Sequence, residues 1–196
     1  DAANFSGQLS LQYKFNPNYN AFVTYSRSYK PIGINVGGLP VIDGKVATEL
    51  AEVKPESVNH YEFGVKTNPT RNAFLNLTIF QTNIKDYQTQ VQTPDPGVNR
   101  GYLANAEKVS VKGLELDGSI RATNFLRINA AFAYTDGKYD SFTNAPVPLE
   151  EVGGTQAFKD VSGGELPGIS KYSWTISPEF TAKGNFLSLQ GTYFLG

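Results

Sequence analysis

The sequence predicts an all-β fold: an antiparallel up-and-down transmembrane β-barrel segment of about eight strands, with short periplasmic turns and long extracellular loops. Three observations predict it. Apolar and polar residues alternate with period two along most of the chain. The connections between these stretches alternate strictly between short and long. Aromatic residues collect near both ends of the stretches, where amphipathic rings favour a membrane–water boundary.

The strands follow in order. Gln8–Phe15 puts Leu9, Leu11, Tyr13 and Phe15 on one face and Gln8, Ser10, Gln12 and Lys14 on the other. Asn20–Ser28 repeats the pattern with Ala21, Val23 and Tyr25, although Phe22 falls on the polar face. Ser57–Lys66 sets Tyr61, Phe63 and Val65 against His60, Glu62, Gly64 and Lys66. Ala73–Asp86 carries Leu75, Leu77 and Ile79 opposite Asn76 and Thr78. Val109–Arg121 carries Leu114, Leu116 and Ile120, and with its lead-in from Tyr102 it is the longest stretch, able to project beyond a bilayer. Leu126, Ile128, Ala130, Phe132 and Tyr134 form the next strand, then Tyr172, Trp174, Ile176 and Phe180. Leu187, Leu189 and Tyr193 mark the last.

The connections are short at 16–19, 67–72, 122–124 and 183–185, and long at 30–56, 88–101 and 138–168. Such a rhythm places every long loop on one side, as in outer-membrane barrels. The expected belts are Phe15, Tyr19, Phe74, Phe125 and Phe186 by the short turns, and Tyr25, Tyr29, Tyr87, Tyr134 and Tyr172 by the long loops.

Composition excludes several classes. A net charge of −1 offers no basic field for nucleic acid. Cysteine is absent, which removes disulfides, thiol nucleophiles and Cys-type zinc sites. No apolar run is long enough for a transmembrane helix, and the first residues lack the pattern of a signal peptide. No phosphate-binding glycine loop or zinc-binding helix motif occurs, and His60 stands alone. The acids Glu150, Glu151, Asp136 and Asp140 read as solvated loop residues, so no catalytic set, metal site or cofactor is expected.

Five segments, in order, resemble the barrel domain of TonB-dependent outer-membrane receptors of the ferric-siderophore type. They are Tyr25 to Pro31 (YSRSYKP), Lys54 to Lys66 (KPESVNHYEFGVK), Asn76 to Phe80 followed by Asn83 to Tyr87 (NLTIF and NIKDY), Asn105 to Leu116 (NAEKVSVKGLEL) and Leu166 to Tyr172 (LPGISKY). The resemblance implies a bacterial outer-membrane location and the wall of a receptor that takes up an iron–siderophore or similar nutrient. It implies contact with the lipid bilayer, a monomeric state and coupling to the TonB complex through an N-terminal region outside this stretch. Residues 1–196 then read as an internal part of the barrel domain, without plug domain or signal peptide.

Two groups of residues stand out under this reading. Glu62 with Gly64, and Gly113 with Glu115, share the lumen side, where glycine relieves crowding and the carboxylates hydrogen-bond. Tyr29, Lys30, Arg100 and Tyr102 fall at the extracellular mouth, where cations beside aromatics suit an anionic ferric complex, or where the same side chains anchor the strand ends. Two other readings of the pattern remain open. A complete small eight-stranded outer-membrane barrel with a structural or adhesive role requires its first and last strands to pair. A soluble carbohydrate-binding β-sandwich requires two packed layers.

Overall fold

A computed structural model of the chain describes residues 4–42, 44–94, 100–183 and 188–192. Eight antiparallel strands form one sheet in strict sequence order. They are β1 (Gly7–Asn16), β2 (Tyr19–Lys30), β3 (Glu56–Thr70), β4 (Ala73–Gln92), β5 (Gly101–Arg121), β6 (Leu126–Ser141), β7 (Tyr172–Lys183) and β8 (Ser188–Thr192). Of the residues assigned to the last strand, Leu187 and Tyr193 lie outside the described residues, as does the belt residue Phe186.

The sheet order overturns both other readings. β1 and β8 form opposite edges among the described residues, so the eight strands do not close on themselves. The remaining ribbons among the described residues are two-residue pairs within the long connections, so the described residues form no second sheet to cover the first as a sandwich requires.

Register explains why one face is apolar throughout. Leu11, Val23, Phe63, Ile79, Leu114, Tyr134 and Tyr172 lie side by side across seven strands. The next row on that face is Tyr13, Ala21, Val65, Leu77, Leu116, Phe132 and Trp174. The band is oblique to these rows. Leu9, Tyr25 and Tyr61 continue it toward the long loops on the first three strands, but the same row becomes Gln81, Lys112 and Asp136 further on. Toward the short turns it extends instead through Ile120, Ile128 and Pro178. A band that steps along the strands in this way is level only if the strands are tilted, as they are in barrels.

Three connections differ from the expectation. The ladder of β3 continues past Asn68 to Thr70 and the turn falls at 71–72, because the register shift between Thr67 and Thr70 accommodates Pro69, which has no N–H to give. β4 does not stop at Asp86. That residue takes a φ of 53°, tolerable for aspartate, and pairing resumes from Tyr87↔Ala106 to Gln92↔Gly101. β6 likewise runs on to Ser141, so the following loop starts at 142 rather than 138. The β4–β5 hairpin, with strands of 20 and 21 residues, is about twice the roughly 9–11 residues that cross a bilayer.

Above the band, the loop at 142–171 folds back onto the polar face. Its Phe142, Ala145 and Leu166 pack with Ala106, Val109 and Tyr139 in the main buried cluster. Backbone bonds fix it there, from Leu166 N–H to Gly137 O and from Tyr139 N–H to Gly164 O, both 2.9 Å. Tyr87 packs against this cluster and not in an interfacial belt. Phe74 also leaves its expected belt, since it pairs with Ser119 on the polar face.

Candidate functional site at the long-loop end and along the polar face

Glu62, Gly64, Gly113 and Glu115 come together as a checkerboard around β4. Glu62 is opposite Phe80, which is opposite Gly113; Gly64 is opposite Thr78, which is opposite Glu115. Each glycine lies under an aromatic ring from the neighbouring strand. A Cβ at Gly64 would run into the Phe22 ring, and one at Gly113 would come within 2.7 Å of Phe80 Cζ. Phe22, which breaks the alternation of its strand, is therefore on the polar face because Gly64 makes room for it. Lys66 Nζ stands 5.4 Å from the centre of that ring, close enough for a cation–π contact.

Polar links continue along this face. His60 Nδ1 and Thr82 Oγ1 are 2.8 Å apart, and His60 Nε2 is 3.5 Å from Glu62 Oε2. Asn76 donates to Asp117 at 3.0 Å. Sequence reading placed the carboxylates, the glycines and His60 on one face but gave Phe80 no part in the group and His60 no partner. The signal for Phe22 was present as an exception to the alternation.

At the long-loop end, three side-chain amides fasten the loop at 31–55 to the β4–β5 hairpin. Asn105 donates to Lys54 O (3.1 Å) and Asp86 O (2.7 Å) and accepts the Lys54 N–H at 2.8 Å. Asn35 donates to Leu103 O at 2.9 Å and accepts the Leu103 N–H at 2.8 Å. Gln88 donates to Pro31 O and Lys54 O, while its own N–H donates to the buried Glu56 carboxylate at 3.0 Å. An amide side chain matches a peptide group in donors and acceptors, so these residues extend the ladder where backbone pairing of β3 with β4 ends at Ser57↔Lys85. The Lys54–Glu56 and Asn105 segments, remote in sequence, are thus two halves of one lock.

Tyr29 and Lys30 end β2, opposite Ser57 and Glu56, and both are exposed. Tyr29 has the parity of Tyr25 and so belongs to the apolar face. Arg100 is exposed at the hairpin tip, where its carbonyl accepts the Thr93 N–H at 2.8 Å. Tyr102, at the long-loop end of β5, is only 3% exposed. It lines a cleft of about 400 Å³ between the two long loops, with Glu49, Glu52, Lys54, Asp86 and Glu107. Partial burial pushes the Glu107 carboxyl up, but hydrogen bonds from the Thr143 hydroxyl (2.6 Å) and N–H outweigh it and hold the group below the usual carboxylate range. Among the described residues, no group of three or more His, Cys, Asp or Glu could hold a metal ion.

The profile of the family described as "TonB dependent receptor-like, beta-barrel" matches residues 1–196. The chain belongs to this family. Among curated relatives, the metal-pseudopaline receptor CntO of Pseudomonas aeruginosa is 29% identical over 133 residues, 67% of this chain and 16% of the receptor. The ferrioxamine B receptor of Salmonella typhimurium is 25% identical over 141 residues, 71% of this chain and 18% of the receptor. Among solved structures, the ferric yersiniabactin uptake receptor FyuA of Yersinia pestis superposes with a TM-score of 0.66 at 20% identity, covering 95% of this chain and 24% of FyuA. The copper transporter OprC gives 0.64 at 15% identity, covering 92% and 25%. These two show the shared fold. The TonB-dependent receptor chain thus spans less than a quarter of the curated relatives named here.

Proposed function

We propose that this chain is barrel wall of a bacterial outer-membrane receptor that takes up a metal–siderophore complex, or a similar nutrient, with energy delivered through TonB. One observation carries the reading. A single sheet bears a tilted apolar band left uncovered by protein, with Leu11 67%, Phe63 42% and Trp174 49% exposed. An apolar surface of this extent is costly in water and favourable in hydrocarbon. The opposite face is polar, as a wet or plugged lumen requires, and the relatives named as receptors for metal-pseudopaline and ferrioxamine B support the substrate class.

At the mouth, exposed Lys30 and Arg100 are the members of the proposed set that offer charge to an anionic complex. Tyr102 supports the cleft wall from within, and Tyr29 anchors the outer face. The receptor works as a monomer in this reading. The test is uptake of radiolabelled iron–siderophore complexes by cells with and without the gene, in tonB-competent and tonB-deficient backgrounds. Uptake that needs both the gene and TonB supports the proposal; uptake independent of either overturns it.

A further inference from the structure

The short-turn end of the polar face carries positive charge that the sheet itself does not neutralise. Arg121 and Arg127 are directly opposite each other across the β5–β6 ladder, a pairing of like charges that is unfavourable in isolation. Arg71, from the turn between β3 and β4, joins them around one cavity of about 860 Å³. All three are exposed, and none of their guanidinium groups makes an ion pair or a hydrogen bond among the described residues. Two carboxylates share this end of the face. Glu179 is beside Arg127 in register, and Asp117, two polar-face positions inward from Arg121, accepts from Asn76 at 3.0 Å. Against them stand the three arginines together with Lys14 and Lys66, which lie in the row of Asp117. The next acid inward is Glu115, opposite Thr78.

The rest of the lining is uncharged and suits a polypeptide. The side-chain amides of Asn18, Asn68 and Asn72 and the Ser119 hydroxyl border the cavity without a hydrogen-bond partner among the described residues. An amide side chain has the donors and acceptors of a peptide group, so it can pair with one. Phe74 also lines the cavity and is 41% exposed, although it stands on the polar face. A ring left uncovered there gains from a partner packed over it. One water takes up roughly 30 Å³ of liquid, so a lone inorganic anion would leave most of the cavity, and Phe74, uncovered.

We infer that Arg71, Arg121 and Arg127 form a carboxylate-binding site, filled by an acidic polypeptide segment of the same receptor that also covers Phe74. The inference rests on the barrel-wall reading, because a closed wall turns this face inward, where only material inside the barrel reaches it. The receptor has chain to supply the segment, since these residues span less than a quarter of the curated relatives. A carboxylate between Arg121 and Arg127 converts their repulsion into charge-assisted hydrogen bonds, for which the planar guanidinium group is well shaped. Arginine beside an uncovered aromatic ring is also the pairing that anchors protein interfaces.

The test uses the full-length receptor containing this chain, inserted in phosphatidylcholine vesicles, with insertion read by protease protection. Phenylglyoxal, which modifies free guanidinium groups, is applied to the native protein in phosphate-free buffer. Arg121 and Arg127 are expected to react about tenfold more slowly than Arg100, which is exposed at the hairpin tip. The variants Arg121→Lys and Arg127→Lys are then treated with a carbodiimide, which joins an amine to a carboxylate in contact with it, and the joined peptides are identified by mass spectrometry. A cross-link from position 121 or 127 to an aspartate or glutamate outside residues 1–196 supports the inference and identifies the segment. Cross-links to Glu179 or Asp117 alone, or none at all, overturn it while leaving the barrel wall intact. Reaction of Arg121 and Arg127 as fast as that of Arg100 overturns it too, and the native protein gives this result even if the lysine variants do not insert. Protection that appears only when inorganic phosphate is added assigns the site to a free anion instead. Failure of the native receptor to insert overturns the barrel-wall reading, and the inference with it.

Discussion

A methyl group at position 64 or 113 would enter space already held by an aromatic ring. Gly64→Ala and Gly113→Ala are each expected to destabilise the protein by about 1–3 kcal/mol, the usual cost of overpacking. The two sites should respond differently to rescue. At Gly64 the obstacles are ring atoms of Phe22, so Phe22→Leu should restore much of the loss. At Gly113 the Tyr134 carbonyl oxygen also obstructs, and it remains after Phe80→Leu. Denaturant unfolding in lipid vesicles compares the four single variants with the two doubles. The Glu107 carboxyl provides a second residue-level prediction. Its pKa is lowered in the fold, so its contribution is fully present above the unfolded value and lost as pH falls through the folded one. The Thr143 amide should therefore exchange hydrogen faster in acid than its neighbours, and Glu107→Gln should remove that pH dependence.

At the scale of elements, the long hairpin and the two loops depend on each other. Asn105 bonds backbone groups of Lys54 and Asp86, 51 and 19 residues away, and shares the Lys54 carbonyl with Gln88. Asn105→Ala leaves those groups without this partner, with a local cost of about 1–3 kcal/mol. The loop at 31–55 should then loosen, seen as faster exchange at the Lys54 and Leu103 amides, while the melting temperature of the sheet stays unchanged. A global loss of stability would mean that the lock supports the barrel and not the loop alone. Sequence pattern identified the participating segments as family-like motifs, yet left their roles unassigned, because nothing in either segment points to the other. Asn35 and Gln88 gave no local signal at all, since an amide in a loop or strand is ordinary until its partner is known.

For the whole molecule, the decisive asymmetry is between faces. Leu116→Arg puts a charge in the middle of the apolar band and is expected to cost about 2–4 kcal/mol in folding into vesicles, whereas Thr78→Arg on the opposite face should cost much less. Comparable costs for both would contradict a lipid-facing band. By itself, the sequence determined the strand content, the two faces and the separation of short turns from long loops. Those features follow from local rules: side chains alternate along a strand, and turn residues interrupt it wherever they occur. Only the tertiary structure decided that the first and last strands stay apart, that Phe22 covers Gly64, that Tyr102 is buried and that Asn105 holds Lys54. Each of these is fixed by the register between strands and by loops folding back over them, and a shift of one residue would reassign every such contact while leaving the local pattern unchanged.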